Sequence, residues 1–141
     1  MPLKEPLLLI VDDHTDTRSA LVRLLKLSGY DCVGVENASQ ALLFMQTSRP
    51  ALVVLDRMMP DMDGLEVLRR MKADPRLAGV PVLFYSADSS PKRIDEVMQL
   101  GAREFIVKGT TIGVLLSQIE KYAARTPDRT GKQDAPRAPF P

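Results

Sequence analysis

The chain has little cysteine, no charge excess of either sign and no long apolar run, and each shortage removes a class of protein. Cys32 is the single cysteine among 141 residues, so no internal disulfide can form, which suits a reducing compartment. It has no adjacent base and no second cysteine, and it reads as a buried structural thiol. Nineteen basic residues against eighteen acidic ones leave a net charge of +1. That balance builds no large field of one sign, so composition offers nothing for direct nucleic acid binding or for a membrane surface. The apolar runs reach five or six residues, far below the roughly 20 a spanning helix needs. The N-terminus lacks the apolar region of a signal peptide. A soluble, cytoplasmic protein is expected, long enough for one domain with a real core.

What is present is regular. Five runs rich in Val, Ile and Leu, at Leu7 to Val11, Asp31 to Val35, Ala51 to Leu55, Val80 to Tyr85 and Arg103 to Val107, alternate with longer amphipathic stretches. This is the pattern of an α/β fold, a (βα)5 doubly wound parallel sheet with helices on both faces. Ala20, Leu21, Leu24 and Leu25 keep helical spacing before Gly29, and Asn37 with Gln40 outlines a capping box. Leu65, Leu68 and Met71 mark a third helix. Ser90-Pro91 offers a cap and a first-turn proline to a fourth that Gly101 would end, and Ile112, Leu115, Leu116 and Ile119 give the fifth. The second run alternates most, as an edge strand does. With right-handed crossovers this gives strand order 2-1-3-4-5, with its switch point between the first and third strands. The folded domain is expected over residues 1–125. Residues 126–141, rich in Pro, Arg, Gly, Lys and Asp with little to bury, are expected to form a disordered tail.

Polar residues sit at the ends of these runs. Asp12 and Asp13 follow the first, Asp56 the third, Ser86 the fourth and Lys108 the fifth. In a parallel sheet these ends open at one edge, so all five side chains can share one crevice. Three carboxylates there repel and push the pKa of at least one upward unless a cation sits among them. An all-oxygen donor set suits Mg2+, which uses one or two carboxylates and fills its octahedron with water and phosphate oxygens. A phosphoryl group on Asp56, neutralised by that metal and by Lys108, is the chemistry this set serves best.

The acidic pair Asp12-Asp13, the run from Asp56 to Gly64 (DRMMPDMDG), the Ser86-Ala87 step and Lys108 together resemble the receiver domain of two-component response regulators. The likeness covers about Pro6 to Ala124 and implies a single-domain, chemotaxis-type receiver. It implies that a histidine kinase or phosphotransfer protein phosphorylates Asp56. It also implies that Asp13 and Asp56 ligate Mg2+ directly, that Asp12 acts through metal-bound water, and that the Met58 carbonyl completes the protein ligands. Ser86 would hydrogen-bond one phosphoryl oxygen and Lys108 pair with another. Ser86 and Phe105 would form the switch, the ring moving into space that the serine leaves. The output would be a changed surface on the fourth helix, fifth strand and fifth helix, read by a downstream effector protein. Met58 and Asp88 would flank the water that hydrolyses the acyl phosphate. In one place the chain departs from the family: Gly109 follows Lys108 where proline is usual, and Thr110 or Thr111 is expected to cap the last helix.

Other readings compete with parts of this one. Asp12 and Asp13 could simply cap the first helix, and His14 is more simply a hydrogen-bonded surface group than a catalytic one. Asp61-Met62-Asp63-Gly64 resembles the DxDG nucleophile motif of haloacid-dehalogenase-type phosphatases, although that motif must follow its strand directly. A pseudo-receiver, a phosphate-independent interaction module on the same fold, is the third alternative. No enzymatic activity beyond self-dephosphorylation and no DNA-binding output domain is expected, and the tail could lead to an effector beyond this sequence.

Overall fold

The structure, a computed structural model, describes residues 7–123. Strands and helices alternate throughout: β1 (Leu7–Val11), α1 (Thr15–Leu27), β2 (Asp31–Val35), α2 (Ala38–Thr47), β3 (Leu52–Leu55), α3 (Gly64–Ala73), β4 (Val82–Ser86), α4 (Pro91–Gln99), β5 (Glu104–Val107) and α5 (Ile112–Tyr122). Every pairing is parallel, and the order is β2-β1-β3-β4-β5, as the hydrophobic pattern predicts. The expected tail lies outside the described residues. Among the described residues no helix is long and apolar enough to cross a membrane.

Successive strand side chains point to opposite faces, and both faces are buried. Leu8, Ile10, Leu52, Val54, Leu83 and Tyr85 pack against Leu21 and Leu25 of α1 and Leu115 and Ile119 of α5. Leu9, Val11, Val53, Leu55, Val82 and Phe84 face α2, α3 and α4 through Ala41, Met45, Val67, Leu68, Met71 and Val97. Each fully buried aliphatic side chain contributes about 1.5–3 kcal/mol, which is why the apolar runs, rather than local propensity, fix the sheet. β2 buries only Cys32, as an edge strand should, and burial pushes that thiol up to about 12.

Four strand boundaries differ from the sequence expectation. β3 begins at Leu52 and β5 at Glu104. β4 begins at Val82, because the Val80 N–H turns back to the Leu77 carbonyl at 2.9 Å and Pro81 has no N–H to give. β4 also runs through Ser86, which pairs with Val107 and whose carbonyl accepts the Lys108 N–H at 3.0 Å. Ser86 is therefore held by the ladder instead of lying in the loop beyond it.

The helix starts are also instructive. α1 is capped by neither aspartate: His14 is the N-cap, and its ring Nδ1 accepts the Thr17 N–H at 3.2 Å. Asn37 Oδ1 accepts the Gln40 N–H at 2.8 Å, while Gln40 Oε1 reaches back to the Glu36 N–H at 2.9 Å. Ser90 and Thr111 occupy N-cap positions, but neither side chain makes a capping bond. The Thr110 hydroxyl donates instead to the Val107 carbonyl at 2.8 Å.

Two glycines shape the loops at the open edge. A Cβ on Gly64 would lie 2.4 Å from the Asp56 carbonyl oxygen, so only glycine lets α3 start this close to the end of β3. Gly109 has φ +99°, a conformation proline cannot adopt with its φ near −65°. The β5–α5 loop thus follows a path closed to the residue usual in the resembling family.

Candidate functional site

The ladder itself brings the acidic residues together. Val11 pairs with Leu55, so the next residues, Asp12 and Asp56, leave adjacent strands side by side. The Asp56 N–H still donates to the Val11 carbonyl at 3.0 Å and the Asp12 N–H to the Val35 carbonyl at 3.2 Å, which fixes both backbones. Asp12 and Asp56 are buried, and Asp13 is exposed at the rim. One carboxylate oxygen from each of the three lies within 4.8 Å of the others.

From the far side, Lys108 reaches over the crevice. Its ammonium donates to Asp56 Oδ2 at 2.9 Å and lies 2.9 Å from Asp12 Oδ2. Burial pushes the Asp12 carboxyl above its ordinary value, with Asp56 adding to the rise and Lys108 and the His14 N–H opposing it. Burial pulls the Lys108 ammonium down, but its bonds to Asp12 and Asp56 and their charges outweigh this and leave it raised. Counted formally, Asp12 and Asp56 outnumber the one ammonium that bridges them, and Asp13 at the rim adds a further negative charge.

Ser86 is fully buried, and its Oγ has no hydrogen-bond partner. A buried hydroxyl left unpaired costs about 1–3 kcal/mol, and an orphan of this kind marks a place for a ligand atom or water. Met58 is half-exposed at the mouth, and its N–H donates to Asp56 Oδ1 at 3.2 Å. Phe105 is half-buried, packed on the core with its ring parallel to that of Phe84 at a centroid distance of 6.3 Å. Asp88 is engaged at the start of α4, with Oδ2 3.2 Å from Arg93 Nε and Oδ1 accepting the Ser90 N–H at 3.4 Å.

Sequence reasoning singled out Asp12, Asp13, Asp56, Ser86, Lys108 and Met58, and the structure gathers these at one edge. It missed the residues that hold the β3–α3 loop. Arg57, only 3% exposed, donates from Nε to Asp63 Oδ1 at 3.0 Å and from Nη2 to Glu96 Oε1 at 2.9 Å. Asp63 also caps α3 through the Leu65 N–H at 2.9 Å. Asp61 caps α2 from a distance, accepting the N–H groups of Ala38 and Ser39 and the Ser39 hydroxyl at 2.8–3.1 Å. Both aspartates of the DxDG run are thus spent on helix starts, whereas Asp56 is the one that directly follows a strand. Arg57 and Glu96 are 39 residues apart, so no local pattern announces their pairing.

The response regulator receiver domain model matches residues 8–120. The chain belongs to this family. It is 30% identical over 129 residues to the phosphate regulon transcriptional regulatory protein PhoB of Pseudomonas aeruginosa, covering 92% of this chain and 56% of that protein, so it spans about half of that relative's length. Among solved structures, it resembles a response regulator receiver protein from Pseudomonas putida at 32% identity and TM-score 0.79, over 85% of this chain and 99% of the other. It also resembles the response regulator TrrA of Thermotoga maritima in complex with Mg2+-BeF, at 28% identity and TM-score 0.74, over 83% and 98%.

As a receiver domain this chain is a two-component signalling module, and its acidic crevice is compatible with Mg2+. The fit rests on the donors: three clustered carboxylates, an all-oxygen set of the kind magnesium prefers, and an unpartnered buried hydroxyl on Ser86 at the end of the strand next to β3.

Proposed function

We propose that this receiver domain is a phosphorylation-controlled switch in which Asp56 accepts a phosphoryl group from a phosphohistidine on a histidine kinase or phosphotransfer protein. Asp12, Asp13 and Asp56, with the Met58 carbonyl, would hold Mg2+, and the metal would supply charge neutralisation at the transferring phosphoryl oxygens. Asp56 Oδ attacks phosphorus, a P–O bond forms, the P–N bond to the donor imidazole breaks, and the imidazole leaves with the electron pair and takes up a proton. The observation that carries this reading is the unpaired Ser86 Oγ at a site where Lys108 already bridges Asp12 and Asp56. The hydroxyl and the ammonium are two donors poised for two phosphoryl oxygens.

Movement of Ser86 toward the phosphoryl group would free space for Phe105 and alter the surface formed by α4, β5 and α5. That surface already exposes Met98, Ile112 and Val114, apolar groups suited to a downstream effector protein. Neither direct nucleic acid binding nor a membrane role belongs to this reading, which places the domain in the cytoplasm.

Intact-mass measurement after incubation with Mg2+ and acetyl phosphate tests it. One phosphoryl group should add to the parent and none to Asp56→Asn, and chelator should abolish the addition. Uptake by Asp56→Asn at the parental rate would refute the assignment. A folded parent that takes up none would favour the phosphate-independent interaction module.

A further inference from the structure

Outside the acidic crevice, the most deeply buried charge among the described residues is Arg57. It follows Asp56 directly, but its guanidinium bonds to the β3–α3 loop and to α4 instead of to the crevice carboxylates. Two sets of partners meet there. Nε and Nη2 bond to Asp63 at 3.0 and 3.3 Å, which fixes the fork to its own loop. Nη1 donates to the Arg93 carbonyl at 3.2 Å and Nη2 to Glu96 Oε1 at 2.9 Å, and both of these acceptors belong to α4. Burial pulls the guanidinium pKa down, but Asp63 and Glu96 more than restore it.

α4 has fewer buried anchors than α3. α3 buries Gly64, Val67, Leu68 and Met71, whereas α4 buries only Val97, and its N-cap Ser90 makes no capping bond. A helix with one buried side chain has weak apolar restraint, so the polar tether carries a large share of its positioning. The guanidinium fork is planar and rigid. α4 cannot slide past it without breaking both bonds and leaving a buried cation with Asp63 alone. A second contact also reaches α4: Arg93 Nε pairs with Asp88 Oδ2 at 3.2 Å, on the loop that follows Ser86. A shift of that loop toward a phosphoryl group would draw α4 along through Asp88 and Arg93, while Arg57 resists.

We propose that Arg57 is the restraint that keeps α4 in its resting position and thereby limits how readily the Asp56 site takes up a phosphoryl group. The second half rests on the reading of Asp56 as the phosphoacceptor; the first does not. A contact made in one state and lost in the other biases the equilibrium by its differential strength. Breaking the tether therefore populates the displaced α4 and speeds phosphorylation, whereas loss of a merely structural contact would slow it.

The test uses the whole chain and three variants. Glu96→Gln keeps shape and an acceptor oxygen but removes the charge, Arg57→Met keeps length and removes every bond, and Arg57→Lys keeps the charge without the fork. Without phosphodonor, amides of Ile94 to Met98 should exchange about two- to fivefold faster in Glu96→Gln, the range for a pair whose carboxylate is half-exposed, while those of α1 and α2 stay unchanged. Acetyl phosphate with Mg2+, whose phosphoryl group passes to Asp56 as acetate leaves, should label this variant about two- to fivefold faster than the parent. Adding Glu96→Gln to Arg57→Met should change neither measurement further, and adding it to Arg57→Lys, which keeps the charge but not the fork, should change both by less than in the parent. Parental exchange in α4, slower labelling, or an undiminished Glu96→Gln effect in the Arg57 variants overturns the proposal. A parent that takes up no phosphate refutes the second half together with the phosphoacceptor reading, and the exchange measurement then decides the tether alone.

Discussion

Replacing Lys108 with methionine removes the only described cation in contact with two buried carboxylates. At an effective dielectric of 20, each 2.9 Å contact to Asp12 and Asp56 represents about 6 kcal/mol of gross attraction. The two carboxylates, with oxygens within 4.8 Å, repel by at least about 3.5 kcal/mol on the same scale. Most of the attraction is cancelled by the cost of taking the ammonium out of water, so the net quantity is far smaller. Breaking a buried pair by removing one partner costs about 3–5 kcal/mol. The Lys108 side chain is 21% exposed, which lets water soften the loss. Lys108→Met should therefore lower metal-free stability at pH 7 by about 2 kcal/mol, seen in urea melts as a lower midpoint with unchanged slope. Mg2+ and the ammonium compete for the same oxygens, so added magnesium should stabilise the variant more than the parent. A metal present at a hundred times its dissociation constant contributes about 2.7 kcal/mol, enough to erase the difference. A metal-free variant as stable as the parent, or an equal response of both proteins to Mg2+, would refute the electrostatic account of the crevice.

Four further outcomes follow from the geometry. Asp61→Ala removes three bonds at the start of α2 and should cost about 1 kcal/mol at pH 7. Burial nudges the Asp61 pKa up, but its bonds from Ser39 and Ala38 hold it below 3.8. Its stabilisation is thus present above the unfolded value and lost as pH falls through the folded one, and melts of variant and parent should converge at acid pH. Gly64→Ala would drive a Cβ to 2.4 Å from the Asp56 carbonyl oxygen, where backbone cannot yield, and calorimetry should show a loss of about 3 kcal/mol. Gly109→Ala should cost about 1–2 kcal/mol through its positive φ alone, because no atom lies within 4 Å of the added Cβ, and Gly109→Pro should cost more. If half-exposed Met58 shields the phosphorylated Asp56 from water, Met58→Asn should hasten decay of the acyl phosphate by roughly threefold, or about 0.7 kcal/mol of barrier, whereas unchanged or slower decay contradicts shielding.

The sequence by itself determined the sheet and the crevice. Strand order and the meeting of Asp12, Asp56, Ser86 and Lys108 were legible because strand-end residues in a parallel sheet must open at one edge, whatever the details of the loops. Apolar runs such as Leu52 to Leu55 and Val82 to Tyr85 carry that information locally. The sequence could not say that His14, and not an aspartate, caps α1, since both residue types can accept the bond and only the local backbone path chooses between them. It gave no sign that Ser86 belongs to the ladder, because Pro81 shifts the start of β4 through a missing donor while the end is set by β5. The tertiary structure alone decided the attachments of the β3–α3 loop. Asp61 meets α2 across 22 and 23 residues, and Arg57 meets Glu96 across 39. Such pairings depend on how two helices lie against one loop. Hydrophobic periodicity says which face of a helix is buried, but it does not say which charged side chain at its edge finds which partner.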